Sequence, residues 1–138
     1  LKNFGEKRGS RISPVKDAVE LKMKYTFHQD TPVVPPDMMR TVSCAVNRVS
    51  RTGQSIGENQ RISVLEALKA ITSYGAYQYF EENDKGTIEK GKYADFVVLD
   101  KNPLETEKEN LADIKVLMTI KENKVIYKNG EDTNESAE

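Results

Sequence analysis

Residues 86–104 read GTIEKGKYADFVVLDKNPL, and this stretch divides the chain in two. Upstream of Asn83 the apolar residues recur at helical spacing; downstream the pattern becomes extended. Gly86 and Gly91 mark turns, and Asp95–Leu99 follows as a β-branched and aromatic run, the composition of a strand. Further on, KVLMTIKENKVIYK (115–128) reads as a hairpin of two strands joined near Glu122-Asn123-Lys124. Between the two lies KNPLETEKENLADI (101–114), a loop with one helical turn.

Working back from residue 86, SVLEALKAITSYGAYQYF (63–80) is the strongest helical pattern. Ser63 and Glu66 form a capping box. Leu65, Leu68, Ile71 or Thr72, Gly75 or Ala76, and Tyr79 make its buried stripe. A glycine inside a helix costs about 1 kcal/mol against alanine, so Gly75 predicts close packing on another backbone. Asp37 caps an earlier helix, MMRTVSCAVNRVSR (38–51), whose stripe is Met39, Val42, Val46 and Val49 and whose stop is Gly53. Cys44 lies beside that stripe and reads as a small buried side chain. SPVKDAVEL (13–21) predicts a short helix with Ser13 as N-cap and Pro14 in the first position. Residues 1–12 read as a loop, and KYTFHQD (24–30) alternates like a short strand before the prolines of TPVVPP end it.

The chain has 138 residues, 37% apolar and 31% charged, with a net charge of −1. That balance argues against a nucleic-acid partner. A basic start over residues 1–25 reads as a solvated surface, and residues 129–138 as a disordered acidic tail. Apolar runs stop at four or five residues, so neither a transmembrane helix nor a signal peptide is expected, and no membrane partner. One cysteine rules out an internal disulfide, and the expected location is the cytoplasm. The start at Leu1 is read as that of a fragment.

Few residues offer catalysis. A zinc site needs about four ligands, and this chain has a single histidine and a single cysteine. No nucleophile elbow and no phosphate-binding glycine loop occurs. The one constellation is His28 with Asp30. At positions i and i+2 of a strand they share a face, and the end of a strand is where barrel enzymes place catalytic groups. The pattern alone also allows a solvent-facing histidine and an aspartate bonded to turn amides, and of the two it favours this plainer reading.

The stretch GTIEKGKYADFVVLD resembles the closing segment of metal-dependent amidohydrolases, roughly G-x-[IL]-x-x-G-K-x-A-D-[FLI]-V-[VI]-L-D. RISVLEALKAITSYGAYQYF is similar to the helix before it, and FHQDTPVVPPDMM to the eighth-strand segment of the amidohydrolase-3 branch. DIKVLMTIKENKVIYK resembles the last hairpin, with Asn123 where glycine is usual. The resemblance runs from about residue 4 to residue 128; similar chains include exoenzyme regulatory proteins of the AepA type.

That resemblance implies an α+β chain: the last strand and closing helices of a (β/α)8 barrel over residues 1–83, and half of a composite β-sandwich over 84–128. It implies a hydrolase acting on non-peptide C–N bonds of a small amide-like substrate. Asp30 would be the catalytic carboxylate and a metal ligand, with His28 contacting substrate or neighbouring ligands. The cofactor implied is a divalent metal, zinc, in the full-length enzyme, and none in this fragment. The metal-binding HxH pair and the strands one to six of the barrel have no counterpart here, so the isolated chain is expected to be inactive. Its open edges and apolar stripes predict self-association. A stand-alone regulatory or binding protein that has lost its catalytic half is the alternative.

Overall fold

The computed structural model describes residues 4–130. Helices precede strands: α1 (Gly5–Gly9), α2 (Val15–Glu20), α3 (Met38–Asn47), a 3₁₀ turn at Glu58–Gln60, α4 (Val64–Ala70), α5 (Ser73–Gln78), β1 (Phe96–Leu99), a 3₁₀ segment at Lys108–Asp113, β2 (Val116–Lys121) and β3 (Lys124–Lys128). The fold is thus a small mixed helix-and-sheet unit. The expected loop at the start contains α1. The acidic stretch from Glu131 onward lies outside the described residues.

The core forms around α3. Met39, Val42, Ala45 and Val46 are buried on one side, facing the 3₁₀ segment and α4. Leu111, fully withdrawn from solvent, joins Ile62, Ala67 and Ile114 in the same cluster. Asp37 caps α3 as its sequence position implies, its carboxylate accepting from Arg40 N at 2.9 Å. The helix does not run on to Gly53. It stops at Arg48, which takes the left-handed conformation at φ 57°, and Val49 at the end of the expected stripe is exposed. The cause is non-local. The Arg48 guanidinium donates to the carbonyls of Ile56 (3.0 Å), Ser13 (3.1 Å) and Ile12 (2.6 Å).

The start of α2 also departs from expectation. Ser13 has φ 52° and makes no capping bond, and Pro14 occupies the cap position. The free N–H groups of the first turn are met instead by Gln60. Its buried Oε1 accepts from Lys16 N at 3.0 Å and Asp17 N at 3.3 Å, while its amide nitrogen donates to Asp17 Oδ1 at 2.5 Å.

Ser63 caps α4 by accepting from Glu66 N at 3.2 Å. The expected long helix is two short ones, because Thr72 (φ −129°, ψ −95°) breaks it. The last turn of α4 tightens through Ile71 N→Leu68 O and Thr72 N→Lys69 O bonds, both 3.2 Å. Its buried face is Ala67 and Ala70, and Leu65 is exposed. Gly75 touches no backbone: a Cβ there would meet nothing within 4 Å. Gly75→Ala should therefore raise stability by about 0.5–1 kcal/mol, read as a higher urea midpoint with an unchanged slope. The close-packed glycine is Gly86, where a Cβ would lie 2.6 Å from that of Ala76.

The three strands form one antiparallel sheet in the order β1-β2-β3. Glu122 and Asn123, at φ 49° and 64°, make the expected two-residue turn. The polar residues of the GKYAD stretch hold backbone. Lys92 Nζ donates to the Glu82 carbonyl at 2.7 Å and to Thr87 Oγ1 at 2.6 Å. The Asp95 carboxylate accepts from Glu122 N at 2.8 Å, fastening β1 to the hairpin turn. Every residue of β3 is exposed. An open groove of about 1370 Å³ separates the sheet from α4 and α5, lined by Leu68, Ile71, Tyr79, Val97 and Ile126 among others.

Candidate functional site

Residues 22–37 carry the candidate pair. The expected strand at 24–30 pairs with no other strand among the described residues. The alternation of its side chains survives. Tyr25 and Phe27 pack on the core cluster, with ring centroids 5.6 Å apart. Tyr74 meets Tyr25 edge-on at 5.8 Å. Thr26 Oγ1 bonds Gln78 Oε1 at 2.7 Å, tying the segment to α5. Beyond Phe27, His28 and Asp30 are exposed while Gln29 turns inward.

Asp30 sits at the opening of a turn, with φ 55°. Its carbonyl accepts from Val33 N at 2.8 Å, and Thr31 Oγ1 donates to the Val34 carbonyl at 3.1 Å. The Asp30 carboxylate itself bonds no turn amide. Among the described residues neither it nor the His28 ring has a hydrogen bond or ion pair. Gln29 is fixed between them: its amide nitrogen donates to Thr41 Oγ1 at 2.7 Å and to the Asp37 carbonyl.

The donors here do not fit a metal site by themselves. No group of three or more His, Cys, Asp or Glu side chains among the described residues is placed to hold an ion. Cys44 is exposed rather than buried as expected, since α3 turns its Met39–Val46 side inward and leaves Cys44 in a shallow depression with Ile12, Arg48 and Ile56. Neither His28 nor Asp30 lines the large groove beside the sheet.

Tyr25 supports the segment from beneath. Its hydroxyl is buried with no hydrogen-bond partner. Burial first, then the negative charge of Glu66 and the neighbouring Tyr74, pushes its pKa up to about 12. Glu66 is held by Lys69 Nζ at 2.6 Å. Because the folded pKa lies above that of a free tyrosine, this contribution to stability is intact below about pH 10. It is lost as pH rises toward 12. Alkaline titration followed by phenolate absorbance should show one of the six tyrosines ionising late, and Tyr25→Phe should remove that step. A late step that persists in Tyr25→Phe would contradict the assignment.

Sequence reasoning located His28 and Asp30 but missed Gln29, Thr41 and Arg48. Thr41 lies one turn into α3, and no local pattern couples it to a glutamine twelve residues earlier.

Comparison with known proteins gives the family of the chain. YtcJ of Bacillus subtilis (strain 168), named as an amidohydrolase, is 30% identical over 101 residues, covering 71% of this chain and 19% of the relative. The N-substituted formamide deformylase of Arthrobacter pascens is 27% identical over 112 residues, covering 79% of this chain and 20% of the relative. The chain thus spans about a fifth of the length of these curated relatives. No solved structure matches it significantly. The profile of the amidohydrolase family (Amidohydro_3) matches residues 1–127, and the chain belongs to that family.

Proposed function

We propose that this chain is the C-terminal part of a hydrolase that cleaves non-peptide C–N bonds in small amide-like substrates, with Asp30 as its general base. The observation that carries the reading is the Asp30 carboxylate: exposed, unbonded to the described residues, and held on a turn at the position that the family resemblance gives to the last barrel aspartate. On this reading residues 1–83 belong to the barrel and 84–128 to the composite sandwich.

In the reaction, water adds to the substrate carbonyl carbon, forming a C–O bond, and Asp30 takes the proton that the water loses. The tetrahedral intermediate collapses, the C–N bond breaks, and Asp30 returns the proton to the leaving nitrogen. The products are a carboxylate and an amine. His28, exposed two residues from Asp30, contacts the substrate. The divalent metal, zinc, that the resemblance implies would draw its remaining ligands from outside this chain, since the residues described do not form a site.

The same reading makes the isolated chain inactive. The edges of β1 and β3, each paired on one side only, and the groove beside them favour its self-association. The test uses the complete hydrolase with N-substituted formamides, simple amides and cyclic amides, following release of amine and acid. Turnover of one of these classes is expected; no turnover of any of them would overturn the reading.

A further inference from the structure

The loop that carries Asp30 is closed at its base by a side-chain clamp. We infer that Gln29 and Thr41 are positioning residues for the Asp30 carboxylate, a conclusion that rests on Asp30 being the catalytic base. Residues 30–36 leave the body of the chain between Gln29 and Asp37. Across that gap the Gln29 amide nitrogen donates both hydrogens, to Thr41 Oγ1 at 2.7 Å and to the Asp37 carbonyl. Thr41 Oγ1 in turn donates to the same carbonyl at 3.1 Å. These bonds tie the Gln29 side chain to the first turn of α3.

The clamp joins the loop to a rigid support. Asp37 caps α3, and the adjoining Met39 and Val42 are buried in the core. On the other side Phe27 packs against that core. Asp30 is thus one residue from the clamp and three from an apolar anchor. Its carboxylate has no hydrogen bond among the described residues, so what the fold holds here is the backbone from which the side chain projects. A general base must come within about 2.6–3.2 Å of the proton it takes, and a misplacement of about 1 Å costs on the order of a hundredfold in rate. Prolines 32, 35 and 36 limit the loop's freedom, but the base of the loop is closed by Gln29 and Thr41.

Gln29→Leu and Thr41→Val remove the clamp at nearly constant shape; Thr41→Ser keeps the hydroxyl. Backbone order parameters from NMR relaxation of this chain give the first readout. At Thr31 and Val33 they should fall from about 0.85 toward 0.6 or lower in Gln29→Leu and Thr41→Val. They should hold in Thr41→Ser, and at Val42 and Val46 throughout. The second readout is steady-state kinetics of the complete hydrolase on an N-substituted formamide. There kcat should drop about tenfold to a hundredfold with KM within about twofold, and Thr41→Ser should restore it. Should Gln29→Leu fail to fold, Thr41→Val carries both readouts. Unchanged order parameters, or a kcat within about twofold of wild type in a folded variant, would overturn the inference. Asp30→Asn, run alongside, separates the two claims: an active Asp30→Asn enzyme removes the reading of Asp30 and the inference with it, whereas an inactive one with unimpaired clamp variants removes the inference alone.

Discussion

Replacing Asp30 by asparagine should lower kcat of the complete hydrolase by a factor on the order of 10²–10⁴, the usual contribution of a positioned general base. Asparagine preserves the shape of the side chain and one carbonyl acceptor, but it cannot take up the proton of the attacking water or return it to the leaving nitrogen. The substitution should leave the fold intact, for two reasons visible in the structure. The Asp30 carboxylate bonds none of the described residues, so no partner is orphaned. The backbone there has φ 55°, a conformation that asparagine tolerates as readily as aspartate. Asp30→Ala lacks that tolerance and would mix strain with lost chemistry. The decisive comparison is kcat against melting temperature in Asp30→Asn. Lost turnover with an unchanged melt supports the assignment; turnover within about threefold of wild type would end it.

Gly57→Ala should cost about 2–5 kcal/mol, a large share of the stability of a domain this size. Two penalties add. The backbone at Gly57 has φ 61°, where a side chain costs roughly 1–2 kcal/mol. A Cβ would also stand 1.9 Å from the Ser10 carbonyl oxygen and 3.2 Å from Arg48 Nη2, and overpacking of this kind costs about 1–3 kcal/mol. Relief is expensive because the clash is with backbone already fixed on both sides. Ser10 N donates to the Glu6 carbonyl at 2.9 Å, and Arg48 ties the Ile12 and Ser13 carbonyls to that of Ile56. Gly53→Ala isolates the first penalty: its φ is 77°, but a Cβ there meets nothing within 4 Å. Urea unfolding of the two variants should differ by the steric penalty. A Gly57→Ala loss no larger than that of Gly53→Ala would show that residues 10–13 do not lie against Gly57.

These glycines show where local reading ends. A pattern inside a helix marked Gly75 as the close-packed position, yet it faces open space, while Gly57 and Gly86 carry the contacts. Nothing within a few residues of either glycine encodes the Ser10 carbonyl or the Ala76 side chain.

What the sequence determined by itself was set by neighbours within a turn, though not every such reading held: Ser13 does not cap α2. Asp37 and Ser63 cap their helices through bonds to residues three positions on. The hairpin turn at Glu122-Asn123 follows from residues that accept a left-handed backbone. The exposure of His28 and the inward turn of Phe27 follow the alternation of the segment, and the GKYAD stretch carried the family. Only the tertiary structure decided the rest. Gln60 caps α2 from more than forty residues away, and Arg48 ends α3 by gathering carbonyls from two distant segments. Residues 24–30 lack a strand partner among the described residues, Cys44 faces outward, and Gln29 reaches Thr41 to close the loop of Asp30. The physical reason is the same in each case. A cap or a two-residue turn is satisfied by the backbone that contains it, whereas a buried amide, a guanidinium or a strand edge takes whichever partner the packed chain brings to it.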